Sequence, residues 1–277
     1  MTVTLLWVAT FAVGAFATRW LVTRMVARAP LRRRNHRGLE LPTAMGAAVV
    51  MGIMAGLALI AALRALTGPS SPRLVETATV GLVAMTAMGG FALLGLWDDL
   101  AGGGRGWRTH LRSLRNGQPT GGVLKLLGGI TLGLIVVAPF GDTIWWTLVD
   151  GAIVAMSANL LNLADARPGR ACKLYVLAAV PMLIVGGPTA PVLMAGLGAV
   201  AAFLPLDLRE RAMLGDTGAN ALGALVGVGV IGAGSDLARA LALIALVVSH
   251  VLAERPGFTE LIERSPLRRA DLAGRVP

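Results

Sequence analysis

Apolar residues run along this chain in blocks of about 17–20, broken by short polar stretches, and blocks of that length cross a hydrocarbon layer as helices. Nine such blocks lie at roughly 3–22, 46–66, 78–97, 122–138, 143–161, 172–187, 190–206, 218–234 and 237–253. The pattern predicts an all-α, polytopic membrane protein with about nine transmembrane helices, although 172–206 could be divided differently. Residues 1–253 then form a transmembrane domain and 254–277 a tail. In the tail Phe258, Leu261 and Ile262 fall at helical spacing between Pro256 and Pro266, which predicts a short helix at the membrane interface.

Composition agrees with the pattern. Of 277 residues, 55% are hydrophobic and 14% charged, whereas a soluble domain is nearer a quarter charged. The 36 glycines suit helices that approach closely through small residues. Charge then orients the bundle. Nothing positive precedes the first block, while Arg24, Arg28, Arg32, Arg33, Arg34 and Arg37 follow it, which predicts an uncleaved anchor with its N-terminus outside. Segments 23–45, 98–121, 162–171, 207–217 and 254–277 then face the cytoplasm and carry 19 Lys or Arg, against Arg73 alone in the external connections. The C-terminus is therefore expected in the cytoplasm. A net charge of +10 so distributed needs no nucleic acid as partner; membrane lipids account for it. The lone Cys172 excludes an intramolecular disulfide and a cysteine-built metal site.

Acidic residues are costly in a membrane protein except at its wet face or in a functional cavity. Three acidic clusters fall at the cytoplasmic ends of blocks: GLWDDLAGG with Asp98 and Asp99; SANLLNLAD with Asn159, Asn162 and Asp165; and MLGDTGANALG with Asp216 and Asn220. Single charges there are often headgroup anchors, but three clusters on one side could converge on one site. Adjacent helical residues point about 100° apart, so Asp98 and Asp99 cannot both aim at one atom unless the helix has ended. Asn159, Asn162 and Asp165, at i, i+3 and i+6, share a stripe if their helix continues. Gly215-Asp216-Thr217-Gly218 opens a helix whose free N–H groups would suit phosphate oxygens. Hard oxygen ligands with no neighbouring His or Cys favour Mg²⁺ over zinc. The arginine run 32–34 reads as a topology anchor, and His36 and His250 as isolated histidines.

At these residues the chain resembles the polyprenyl-phosphate N-acetylhexosamine-1-phosphate transferases, the family (glycosyltransferase family 4) that includes phospho-N-acetylmuramoyl-pentapeptide transferase. The resemblance runs from about residue 35 to 225 through NHRGLELPTAMG, GLWDDL, TGGVLKLLGG, NLLNLAD and MLGDTGANALG. It implies Mg²⁺-dependent transfer of a sugar-1-phosphate from a UDP-amino sugar to a polyprenyl phosphate at the cytoplasmic face of a bacterial inner membrane. By motif match it implies Asp216 as metal ligand, Asp98 as the base that keeps the lipid phosphate ionised (and a second metal-ligand candidate), and Asp99 in support. Asn159, Asn162, Asp165 and Asn220 would serve the substrate, and Lys125 would hold a phosphate.

The chain also departs from the family pattern. Pro168 stands where a second Asp is usual, Gly102 where some branches carry a third acid, and the histidine-rich loop is missing. His110, in WRTHLRSLRNG, is the candidate to serve in place of that loop. These departures motivate an alternative, a catalytically silent paralogue that binds lipid phosphate or a partner enzyme. A secondary transporter is a third class, resting on Asp150, the one clear acid deep in a block, paired with Arg64 or Arg239. The sequence names no sugar, polyprenol or pathway, and admits a homodimer without requiring one.

Overall fold

The computed structural model describes residues 3–68, 71–101, 121–141, 143–253 and 262–276. His110, Phe258 and Leu261 therefore lie outside the described residues. Of Lys125 only the backbone is described, within a helix.

Helices follow the apolar blocks: α1 (Val3–Val26), α2 (Gly46–Thr67), α3 (Pro72–Ala101), α4 (Gly121–Val137), α5 (Ile144–Ala164), α6 (Arg170–Val185), α7 (Ala190–Leu208), α8 (Gly215–Ala233) and α9 (Asp236–Ala253). A six-residue helix, α10 (Leu267–Leu272), follows in the tail. Six of them, α1, α2, α3, α5, α7 and α8, are long and apolar enough to cross a membrane. Of the others, α4 has 17 residues and α6 has 16, with Pro181 inside it. Large apolar side chains that stay exposed, such as Phe16, Trp145, Leu177 and Ile184, would be a liability in water and suit contact with lipid tails. The chain is an all-α membrane protein by helix content and by apolar length.

The centre of the bundle is α8, 72% of whose apolar window is buried, against 28% for α1. It packs on α2, α3, α5 and α6, while α1 packs on α7 and α2. Its sequence, GDTGANALGALVGVGVIGA, explains the position, because small residues let four neighbours approach one backbone. A side chain at Gly223, for instance, would collide with the Ser157 carbonyl and Ala158 of α5. Away from the candidate site, α9 is fixed to α5 by an ion pair between Arg239 and Asp150 (2.9 Å), with the same guanidinium 4.6 Å from the Trp146 ring centre. Asp150 is thus paired with Arg239 rather than with Arg64.

One feature differs from the sequence-based expectation. The arginine run is not merely an anchor, because β1 (Arg32–Arg34) pairs antiparallel with β2 (Glu40–Pro42), Arg33 opposite Leu41. Its turn is built by Asn35, whose Oδ1 accepts from the N–H groups of Arg37 and Leu39 (2.9 Å each), and by Gly38 at φ 79°. The hairpin is stitched to the lead-in of α8: Met213 N–H donates to the Pro42 carbonyl (2.8 Å), and Gly46 N–H to that of Leu214 (2.8 Å). The helix expected on Phe258, Leu261 and Ile262 lies mostly outside the described residues, though Ile262 and Glu263 are helical. Beyond Pro266 a further helix, α10, lies against the start of α6 and the loop before it.

Candidate functional site

The site begins where the end of α3 meets the start of α8. Gly95 makes the approach possible, since a side chain there would collide with the Asp216 carbonyl. One turn on, Asp99 is only 3% exposed, and its carboxylate accepts from Thr217 Oγ1 (2.7 Å), Thr217 N–H (3.0 Å) and Asp216 N–H (3.2 Å). A residue from another helix therefore caps α8, where unpaired N–H groups and the positive end of the helix dipole favour a carboxylate. This corrects one expectation: the N–H groups of Asp216 and Thr217 are taken by Asp99 and are not free for a phosphate. Because α3 runs on to Ala101, Asp98 points away from Asp99 and is half-buried. The Arg33 guanidinium donates to the backbone carbonyls of both aspartates, satisfying the last turn of α3.

Asp216, half-buried in the first turn of α8, meets α5 through Asn162, whose Nδ2 donates to Asp216 Oδ2 (3.2 Å). The helix α5 ends at Ala164, with Asp165 as its C-cap. The Asp165 N–H still donates to the Leu161 carbonyl (3.1 Å), so helical geometry reaches Asp165. Asn162 and Asp165 belong to the site, whereas Asn159 is exposed and takes no part in its hydrogen bonds. Asn220, one turn below Asp216, is 2% exposed, and its Nδ2 has no partner among the described residues.

Beside these residues a small pocket of about 40 Å³ is lined by Asn35, His36, Asp165, Pro168, Asp207 and Glu210, among others. Its size means that an incoming ligand would insert one group and leave the rest outside. Asp207, buried at the end of α7, accepts from Gly169 N–H (2.8 Å) and so shapes the loop after Asp165. Glu210 adopts a left-handed backbone (φ 51°), a conformation that costs a non-glycine residue about 1 kcal/mol or more. Its carboxylate accepts from Asn35 Nδ2 (3.0 Å) and pairs with Arg37 (3.5 Å), tying the hairpin to α7.

The electrostatics are those of crowded acids. Asp165 is half-buried and lines the pocket, yet the surrounding protein desolvates its carboxyl and pushes it well above the ordinary carboxylate range. The like charges of Asp207, Asp216 and Asp99 push the same way, against one backbone N–H from Gly215. His36 is held below its ordinary value, first by burial and then by the Arg167 charge.

Arg33, Thr217, Asp207 and Glu210 were not singled out from the sequence. Asp207 carried the same signal as the other acids, a carboxylate at the cytoplasmic end of an apolar block, and Thr217 lies within the quoted GDTG. Arg33 could not be told from its neighbours.

Chemically, the end of the bundle offers clustered carboxylates with one carboxamide, a donor set for a hard cation. Among the described residues no group of three or more His, Cys, Asp or Glu is arranged to hold a metal ion. Mg²⁺ needs less, because it keeps waters and takes one or two carboxylates together with substrate phosphates. No protein-family model matches the chain, and no curated protein matches it.

Proposed function

We propose that the protein is a phosphoglycosyltransferase of the resembled type, moving a sugar-1-phosphate from a UDP-amino sugar to a polyprenyl phosphate for envelope glycan synthesis. The observation that carries the reading is the meeting of three motifs far apart in sequence. Asp99 binds the backbone of Asp216 and Thr217, Asn162 binds the side chain of Asp216, and Asp165 lies within electrostatic reach of both aspartates. In this reading the nine helices α1 to α9 all span a bacterial inner membrane, with the N-terminus outside and the site facing the cytoplasm.

The crowding around Asp165 fits a cation at Asp216, since a divalent ion would relieve the repulsion among the carboxylates. Mg²⁺ bound there would neutralise charge on the donor diphosphate and make UMP a better leaving group. The chain's own residues do the rest. Asp98 keeps the attacking lipid phosphate ionised. Asp99 fixes the first turn of α8, and with it the position of Asp216. Asn162 holds the Asp216 carboxylate in one orientation. Asp165 receives the nucleotide end of the donor, and Lys125 holds a phosphate. Phosphoryl transfer asks mainly for such positioning and charge neutralisation.

A direct test is transfer of radiolabel from UDP-N-acetylglucosamine into butanol-extractable lipid by purified protein with undecaprenyl phosphate and Mg²⁺. Label that enters the lipid phase only when acceptor and metal are both present supports the transferase. The rival reading, a silent paralogue that keeps the scaffold, is favoured by Pro168 in place of the second Asp. It requires no label in lipid with any UDP-sugar tried.

A further inference from the structure

The tail is held to the bundle by polar groups. Asp271 of α10 is 9% exposed and takes a two-pronged contact from Arg170, with Nε to Oδ1 and the terminal nitrogen to Oδ2 both at 2.9 Å. Arg275 adds a third bond to Oδ1 (2.6 Å). Lys173 Nζ donates to the carbonyls of Ala270 (2.9 Å), Asp271 (2.7 Å) and Ala273 (2.8 Å), closing the C-terminal end of α10. Buried charges hold a structure only when paired with good geometry, and this cluster supplies it.

Most partners of the tail belong to one short segment, and the Val276 N–H adds a bond to the Leu208 carbonyl at the end of α7 (3.3 Å). Arg170 and Lys173 open α6, and Arg275 Nε donates to the carbonyl of Pro168 (2.8 Å). Pro168, with Asp165, Ala166 and Arg167, lines the acidic pocket. The loop is thus gripped from two sides, by Asp207 at the Gly169 N–H and by the tail at Pro168, Arg170 and Lys173. Anchoring α6 in a membrane would not require this, because arginines at a helix end can face water or headgroups.

We infer that residues 267–276 are a positioning element of the pocket, with Arg275 as the positioning residue that fixes the Pro168 rim and so sets the affinity for the ligand that enters beside Asp165. That the ligand is the nucleotide end of a UDP-sugar rests on the transferase reading; the grip on the loop does not.

The test uses the full chain in detergent as wild type, Arg275→Ala, Arg275→Lys and Arg268→Ala. Arg268 is exposed on α10 and controls for loss of a tail charge. Hydrogen exchange at 166–172 is measured beside the KM for UDP-N-acetylglucosamine and for undecaprenyl phosphate. Arg275→Ala is expected to speed exchange in that segment and raise the donor KM about tenfold, with kcat and the acceptor KM within about twofold. Arg275→Lys should recover part of the loss, and Arg268→Ala should match wild type. Unchanged exchange overturns the inference, as does faster exchange with an unchanged donor KM. If wild type turns over no UDP-sugar the transferase reading fails separately, and the grip stands or falls on the exchange data.

Discussion

Replacing Asp99 by alanine separates the two neighbouring aspartates most sharply. The carboxylate of Asp99 is the acceptor for Thr217 Oγ1, Thr217 N–H and Asp216 N–H, and Thr217 is itself 3% exposed, so water would not readily replace it. Each of these three donors left unmet would cost about 1–3 kcal/mol taken alone, and loss of a helix N-cap typically about 1 kcal/mol. These terms overlap, since the hydroxyl can turn to another acceptor and both N–H groups share one carboxylate. A gain opposes them, because Asp99 is desolvated and lies near the Asp216 charge. The balance is a net loss of about 2–4 kcal/mol for Asp99→Ala. Asp99→Asn keeps one oxygen acceptor and should lose about half as much. Asp98→Asn, at a half-buried side chain, should lose about 1 kcal/mol or less. Unfolding in detergent, followed by circular dichroism under heat and under SDS titration, measures all three. Turnover should vanish in Asp98→Asn while its stability is kept, whereas Asp99→Ala should lose both. An Asp99→Ala protein within about 1 kcal/mol of wild type, or an equal loss in Asp98→Asn, would refute the assignment of Asp99 as the cap of α8.

Two further outcomes follow from the packing and the charges. Gly95→Ala sets a methyl against the Asp216 carbonyl and should destabilise by about 1–3 kcal/mol, whereas Gly81→Ala, whose new methyl meets nothing nearer than Leu57 at 4.0 Å, should be neutral or slightly stabilising in the same unfolding assay. Burial alone would raise the Asp271 carboxyl, but the hydrogen bonds and charge of Arg170, with Arg275 and Lys173, win and hold it below the ordinary range. A lowered native value means stability that is present above the unfolded value, about 3.9, and lost as pH falls through the native one. The stability gap between wild type and Asp271→Asn should therefore stay level from about pH 7 to 5 and close only below about 4; a gap that closes between 7 and 5 would contradict this.

The helices were legible because apolar length is a direct imprint of the hydrocarbon layer, and each of the nine blocks coincides with a helix to within several residues. The acidic clusters were legible as costly residues at block ends, and Asp99, Asn162, Asp165 and Asp216 do come together. What escaped depended on contacts between distant segments. Nothing in RRR says that the middle arginine covers the end of α3, because the hairpin that aims it is set by the Asn35 turn and by pairing with Met213. The i, i+3, i+6 spacing could not tell that Asn159, exposed a turn before Asn162 on the same helix, stays outside the site, because that depends on which neighbour packs there. The tail was read by its apolar residues, yet its described part is held by Asp271 and Arg275, whose partners lie about a hundred residues away.

The central claim is that this acidic end of the bundle transfers a sugar phosphate, and UMP release tests it most directly. Detergent-purified protein would be given UDP-N-acetylglucosamine, undecaprenyl phosphate and Mg²⁺, beside Asp98→Asn and Asp216→Asn. The account expects release that needs both lipid and metal and disappears in both variants. No release with this or other UDP-sugars, or release that persists in Asp216→Asn, would contradict it.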